Sequence, residues 1–278
     1  MNVQSYDCLI VGGGPAGSTC AWQLRQAGAG VLVLDKASFP RDKTCAGWIT
    51  PSVVESLELD VDEYCHNRTW QPIHGFRCGF VNGGSVNIDC SEPVSFGIRR
   101  REFDDYLLRR AGVVAIQHHV SRIERRGGAW LIDGIYSAPM LVGAGGNFCP
   151  VARFLGVSRG TPESLVFAQE VEFALTESEL ARLAVAADRP ELYFCKDLRG
   201  YGWCFRKHEF LNVGFGRTER NGLSHRVADF CDFLHQAGRV RFDLPARFHG
   251  HAYRLNDGNA DIPAADGVLL IGDSAGLA

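Results

Sequence analysis

Several features are missing from this chain, and each absence narrows what it can be. Neither charge is in surplus: 29 Lys and Arg stand against 32 Asp and Glu, a net charge of −3. A protein this near neutral has no broad electrostatic pull on nucleic acid or anionic lipid. No apolar run approaches the roughly 18 residues of a membrane span. Those at Cys8–Val11, Val31–Leu34 and Val268–Ile271 hold four residues each. Met1–Asp7 carries no basic residue, so no export signal is expected and the expected location is the cytoplasm. The 10 cysteines include no Cys-x-x-Cys pair. Zinc or iron–sulfur ligation is therefore not expected, and in a reducing compartment most of them read as small buried apolar residues. The 32 glycines have no three-residue period, which excludes a collagen helix, and no internal repeat or low-complexity stretch is visible.

What is present is an ordinary globular composition. Apolar residues make up 46% and charged residues 22%, which excludes a mainly disordered chain. The 278 residues leave room for about two domains.

The first unit is the most legible. Asp7–Val11 reads as a buried strand, Gly12-Gly13-Gly14-Pro15-Ala16-Gly17 as a glycine turn, Ser18–Gln26 as a helix with Gly28 as its left-handed stop, and Val31–Leu34 as a second strand ending at Asp35. Strand, helix and strand in about thirty residues form a βαβ unit with a parallel sheet. Gly12, Gly14 and Gly17 have Gly-x-Gly-x-x-Gly spacing. The first permits the tight turn, the second lets backbone approach a pyrophosphate, and the third lets helix pack on strand. The helix N-terminus offers free N–H groups to the phosphates. Asp35, 23 residues after Gly12, can accept hydrogen bonds from ribose hydroxyls. Glycine turns without a ligand are common, but here every part of the required context agrees.

Further on, Phe76–Phe80 and Val86–Cys90 alternate around Asn82-Gly83, a hairpin pattern. Thr50-Pro51 reads as a helix start, Glu102–Arg110 as a helix, and Val120–Ala144 as short strands broken at Gly127-Gly128 and Asp133-Gly134. From Leu165 the character turns antiparallel, with strands at Val166–Phe173, Leu192–Cys195, Tyr201–Lys207 and Leu211–Arg217 and one helix at Ser224–Gln236. Tyr201, Trp203 and Phe205 share one strand face. They are either the core side of a half-buried sheet or an aromatic wall for an apolar substrate.

Near the far end, Val268–Ile271 runs into Gly272-Asp273, where an acid can bond the ribityl polyol of a flavin. Here the sequence resembles the FAD-dependent oxidoreductases of the geranylgeranyl reductase group, relatives of the aromatic-hydroxylase flavoproteins. The resemblance covers essentially the whole chain. It rests on the glycine turn, on Pro40-Arg41-Asp42-Lys43-Thr44-Cys45-Ala46-Gly47, on Arg100-Arg101-Glu102-Phe103-Asp104, on Tyr201-Gly202-Trp203-Cys204-Phe205, on Leu211–Gly216 and on Gly272-Asp273. Ala46 stands where the family has Gly, Arg206 where it has Pro, and Ala144–Cys149 lacks the family's acid, with Cys149 in place of Ser.

The resemblance implies an α/β fold, a Rossmann-like FAD-binding domain with a parallel sheet interrupted by an antiparallel β-rich substrate domain. The expected parts are FAD-binding at 1–75, a substrate-domain hairpin at 76–98, FAD-binding again at 99–160, the substrate domain at 161–258 and the last FAD-binding part at 259–278. It implies FAD contacts at Gly12, Gly14, Pro15, Ala16, Gly17, Asp35, Lys36, Cys45, Ala46, Gly47, Arg100, Val120, Gly272 and Asp273, with Cys45, Tyr201 and Trp203 as catalytic candidates. Cys45 is either a neighbour of the isoalloxazine or a small residue in a tight loop. The expected activity is hydride transfer through flavin N5 to an apolar, isoprenoid-like or conjugated substrate, with NAD(P)H or another reductant as a transient donor. No nucleic-acid partner and no integral membrane segment are expected, and a peripheral membrane location only for a lipid substrate. A monooxygenase acting on an aromatic or polyketide-like substrate is the alternative chemistry, and a non-catalytic FAD-binding chain the third. The family continues past the Gly-Asp strand into more helix, so a truncated or partial chain is expected.

Three other patterns are weaker. Gly272-Asp273-Ser274-Ala275-Gly276 fits the hydrolase nucleophile elbow, but no acid and His follow in order. Cys65, His66, His74 and Cys78 have only loose ligand-like spacing. Arg99-Arg100-Arg101 is isolated and reads as a solvated face with one flavin contact.

Overall fold

The computed structural model describes residues 3–157, 165–255 and 266–277. Two compact units divide the chain: residues 1–42, 103–164 and 253–278 form one, and residues 43–102 and 165–252 form the other. The units thus separate at 42 and 102, where the sequence placed its boundaries at 75 and 98. The reason is a small antiparallel sheet in which Trp48–Ile49 and Gln71–Ile73 both pair with Ser95–Gly97. It ties residues before and after the Phe76 hairpin into one unit. The boundaries expected at 160 and 258 lie outside the described residues.

The first unit is built on a five-stranded sheet in the order Val268–Leu270, Met140–Gly143, Cys8–Val11, Val31–Asp35, Val114–Gln117, every pair parallel. Both faces are covered, which is why these strands are continuous apolar runs. Leu9, Leu32, Leu34 and Leu141 face a cluster containing Trp130 and Ile132. Ile10, Val33 and Val142 face a second cluster with Ala21, Leu108 and Ala111. The helix Pro15–Gln26 follows the first strand, and Gly28, at φ +86°, lies just beyond its end. Residues Ile123–Arg126, Ala129–Ile132 and Tyr136–Ala138 form an antiparallel ribbon. Its turns place Gly127, Gly128, Asp133 and Gly134 at positive φ.

In the second unit, six consecutive strands of the main sheet are Leu165–Ala174, Phe210–Arg217, Gly200–Lys207, Glu191–Phe194, Gly75–Phe80 and Ser85–Asp89. All neighbours are antiparallel except Glu191–Phe194 with Gly75–Phe80. Helix Leu223–Gln236 covers one face, packing Val227, Phe230 and Leu234 with Cys204, Val213 and Phe215. Period-two alternation then sends Tyr201, Trp203 and Phe205 to the other face.

Candidate functional site

In the first unit the carboxyl ends of the parallel strands bring the glycine turn to the point where the strand order reverses. Strand Cys8–Val11 has Val31–Asp35 on one side and Met140–Gly143 on the other, and such a crevice is where open α/β sheets bind ligands. Two of its glycines cannot carry a side chain. A Cβ on Gly12, at φ +113°, would lie 2.4 Å from the Ala144 carbonyl oxygen, and one on Gly17 would lie 1.9 Å from that of Gly12. Gly14 is the N-cap of helix Pro15–Gln26, supplies no side-chain cap, and no acid stands in the first turn. The uncapped N–H groups keep their partial positive charge for an anion.

Asp35 fixes this turn. Its carboxylate accepts the Gly13 N–H at 2.8 Å and the Ala37 N–H at 2.9 Å. Each oxygen retains a lone pair for a ribose hydroxyl. Ser18, buried, donates its hydroxyl to the Gly13 carbonyl at 2.8 Å. Arg41 lies alongside: its Nη2 is 3.4 Å from the Cβ position of Gly14 and 3.2 Å from the fully buried Asp104 carboxylate, and its guanidinium sits over the Phe39 ring. Its Nη1 is buried without a hydrogen-bond partner among the described residues. A bare N-terminus, a turn free of side chains and an unspent guanidinium donor fit a dinucleotide pyrophosphate. Gly272, at φ +60°, is close enough to the helix that its Cβ would lie 2.9 Å from that of Ala16.

In the second unit the Cys45-Ala46-Gly47 segment is held by side chains. Glu170, only 5% exposed, accepts the Cys45 N–H at 2.5 Å and an N–H of Asn212 at 3.2 Å. The Asn212 amide oxygen accepts the Trp203 indole N–H at 2.7 Å, and its nitrogen is 3.4 Å from the Cys45 carbonyl oxygen. The Lys207 ammonium, fully buried, donates to the carbonyls of Ala46 at 2.9 Å and Ile98 at 3.0 Å and pairs with Glu172 at 2.8 Å. Gly47 sits at φ +72°, where a Cβ would be 2.0 Å from the Ile98 carbonyl oxygen. Burial pushes the Glu170 carboxyl above the ordinary carboxylate range, opposed by the N–H bonds from Cys45 and Asn212 and by the Lys207 charge.

Gly12, Gly14, Pro15, Ala16, Gly17, Asp35, Gly272 and Asp273 therefore gather in the first unit. Lys36 is exposed just beyond its strand. The Val120 side chain is packed into the core, so only its backbone is left for a ligand. Cys45, Ala46, Gly47, Arg100, Tyr201 and Trp203 belong to the second unit. There the structure joins Cys45 to Trp203 through Asn212. Arg100 is the first residue of helix Arg100–Ala111. Phe205 is 1% exposed and packs as core, Trp203 is buried, and Tyr201 is half-buried. Ser274 of the hydrolase-like pattern is buried and donates to the Gly146 carbonyl at 3.2 Å, so it is no exposed nucleophile. The sequence reading gave no role to Arg41, Asp104, Glu170, Lys207 or Asn212. The sequence carries no clear signal for Glu170 or Lys207: Glu170 stands near Gln169 and Glu172, and Lys207 ends its strand beside Arg206.

Comparison with known proteins agrees with this geometry. Residues 7–106 match the family described as FAD dependent oxidoreductase. The chain is 24% identical to a digeranylgeranylglycerophospholipid reductase of Methanocaldococcus jannaschii, over 98% of this chain and 70% of that protein. It is 33% identical to a menaquinone reductase of Mycobacterium tuberculosis, over 82% of this chain and 58% of that protein. The crystal structure of a geranylgeranyl bacteriochlorophyll reductase-like protein from Thermoplasma acidophilum superposes with a TM-score of 0.82 at 19% identity, covering 99% of this chain and 72% of that one. The α/β fold, with its parallel sheet and antiparallel β-rich part, is shared with that structure. The chain is an FAD-dependent oxidoreductase with geranylgeranyl reductases among its homologues.

Proposed function

We propose that the chain reduces a carbon–carbon double bond in an apolar, isoprenoid-like or conjugated substrate. When bound and reduced by an external donor, the flavin would supply the hydride from its N5. The observation that carries the substrate class is one continuous apolar sheet face. Val86, Cys78, Leu192 and Trp203 stand opposite one another across four strands, a row of about 14 Å at normal strand spacing. Beside it run Phe80, Phe194 and Tyr201. The row grades from Trp203, 8% exposed, to Val86, 63% exposed. An alkyl chain laid along it gains about 0.8 kcal/mol per buried CH₂. The names of two relatives pair a reductase with a lipid and with a quinone.

In this reading Gly12, Gly14 and Gly17 hold the pyrophosphate with Arg41 as counter-charge, Asp35 holds the adenosine ribose, and Arg100 and Asp273 hold the flavin end. Lys36, Ala46, Gly47 and the Val120 backbone complete the cofactor contacts. Tyr201 and Trp203 orient the substrate and exclude water. A nearby group or water supplies the proton for the carbon that does not receive hydride, and Cys45 is a neighbour of the isoalloxazine with a steric or redox role. The electron donor is NAD(P)H or another reductant that binds transiently, because the one glycine fingerprint serves FAD. The location is cytoplasmic, with peripheral membrane association when the substrate is lipid.

The test is anaerobic flavin reduction with NADH, NADPH and a low-potential donor in turn, followed by a polyprenyl alkene. Flavin reoxidation with a saturated product is expected. Hydroxylated product formed only under air, with no saturation, would replace this reading with the monooxygenase one. A colourless protein that takes up no FAD would leave neither standing.

A further inference from the structure

We infer that Glu170 and Asn212 are positioning residues that couple the orientation of the Trp203 indole to that of the Cys45 backbone. The argument starts from a donor that has no alternative. An indole N–H can only donate, and Trp203 Nε1 lies 2.7 Å from one terminal atom of the Asn212 side chain. That atom must be the amide oxygen. The other end of Asn212 is therefore the NH₂ group, which faces Glu170 at 3.2 Å. That oxygen of Glu170 must accept. The other oxygen meets the Cys45 backbone N–H at 2.5 Å and must accept as well. The chain of bonds has one direction, from Trp203 to Asn212 to Glu170, with Cys45 entering from the far side. Trp203, Asn212 and Glu170 are all buried, so water does not make good a wrong pairing.

The backbone removes slack at both ends. A Cβ on Gly214 would lie 2.2 Å from the Trp203 ring, and Gly216 comes within ordinary contact of it, so the indole rests flat on the neighbouring strand. At the other end Lys207 holds the Ala46 carbonyl and Gly47 occupies a left-handed turn. The charged groups facing Glu170 are Lys207, which favours its ionised form, and Glu172, which opposes it. A shift of either end is thus passed through three hydrogen bonds. This inference rests on the proposed function only for its effect on turnover, where a wall that meets substrate would set the loop that bears Cys45.

The test is a pair swap in the full chain. In Glu170→Gln the new amide must turn an N–H either toward the Asn212 NH₂ or toward the Cys45 N–H, so two donors meet. In Asn212→Asp two carboxylate oxygens meet. In the double variant Glu170→Gln/Asn212→Asp the Gln NH₂ donates to Asp, Asp accepts from Trp203, Gln accepts from Cys45, and net charge is unchanged. The readouts are the iodoacetamide alkylation rate of Cys45, followed by peptide mass spectrometry, and the Trp203 fluorescence, assigned by difference from Trp203→Phe. Each single variant is expected to change the Cys45 rate by about fivefold, the factor that one lost buried hydrogen bond implies, and to shift the Trp203 emission. The swap restores the three bonds of the relay but not the long 3.4 Å contact from the Asn212 nitrogen to the Cys45 carbonyl oxygen, so it is expected to recover most, not all, of each change. Folded single variants with native alkylation and emission would overturn the coupling. So would a double variant whose defects are the sum of the two singles, because a merely structural role has no reason to be rescued. Neither readout involves substrate, so failure of the reductase activity leaves this result standing, and the reverse holds too.

Discussion

The two units build their sites by opposite means. In the first, the glycine turn works by absence: Gly12, Gly14 and Gly17 leave backbone bare, and the helix start has neither a side-chain cap nor an acid. In the second, the Cys45–Gly47 segment is held by presence: Glu170, Asn212 and Lys207 reach in from a sheet and occupy its backbone groups. A site made by absence tolerates no added atom. A site made by presence tolerates no lost partner. Substitutions can break each side of this contrast in order of expected effect.

The largest effect is expected at Gly17. In Gly17→Val the first added carbon falls 1.9 Å from the Gly12 carbonyl oxygen, and because that contact is backbone the strand and helix must move apart. Loss of FAD is expected, by more than about a hundredfold in affinity, since the pyrophosphate seat itself is displaced. Visible flavin absorbance of the purified variant measures it, and native flavin content would refute the placement. Next comes Lys207→Met. It leaves the Ala46 and Ile98 carbonyls without that donor and Glu172 with Arg99 at 3.7 Å, and removing one partner of a buried pair costs about 3 kcal/mol. Urea unfolding monitored by tryptophan fluorescence reads the change. A loss under about 0.5 kcal/mol, the size of an exposed pair, would show that the ammonium does not hold the segment.

A smaller effect is expected for Arg41→Ala. The guanidinium has a buried Nη1 with no partner among the described residues, so FAD affinity should fall by about tenfold, one charge-assisted bond to phosphate. Titration of apoprotein with FAD gives the number, and unchanged affinity would remove Arg41 from the cofactor contacts. The smallest concerns pH. Burial raises the Glu170 carboxyl above its ordinary 4.5, so the folded chain holds this proton more tightly than the unfolded chain does. Its ionisation therefore costs stability, and the cost grows as pH climbs from 4.5 to the folded value. Glu170→Gln removes that slope, so its stability relative to the native protein should improve with rising pH across this window. Denaturant midpoints measured at several pH values would show it, and a difference that declines with pH would reverse the sign.

The same contrast explains what could be read from the sequence. The strand, turn, helix, strand and acid from Cys8 to Asp35 were legible because sterics leave few residue types able to make that turn, and all the partners lie within thirty residues. The hairpin at Asn82 and the helix Leu223–Gln236 were legible from their periods. The clasp on Cys45 was not. Glu170 lies 125 residues from Cys45 and 42 from Asn212, and only the register between strands brings them together. Lys207 read as a strand-end charge, yet its ammonium is fully buried. The unit boundary at 42 was also hidden, since strands of two and three residues, Trp48–Ile49 and Gln71–Ile73, are too short to show a period. Arg41 lies in the Pro40–Gly47 stretch, where nothing in the sequence sets it apart from Lys43; its place comes from the guanidinium lying against Gly14.

One consequence of the parallel sheet concerns synthesis. Its edge strand Val268–Leu270 pairs with Met140–Gly143, and Gly272 then meets the helix beside Ala16. A ribosome therefore releases every residue of the antiparallel unit before it releases the strand that completes the cofactor sheet. The nascent first unit must wait with an open edge while some 120 residues pass, and domains fold as they emerge. If Asp273 holds the flavin end as proposed, the cofactor gains that contact only after the antiparallel unit has been made.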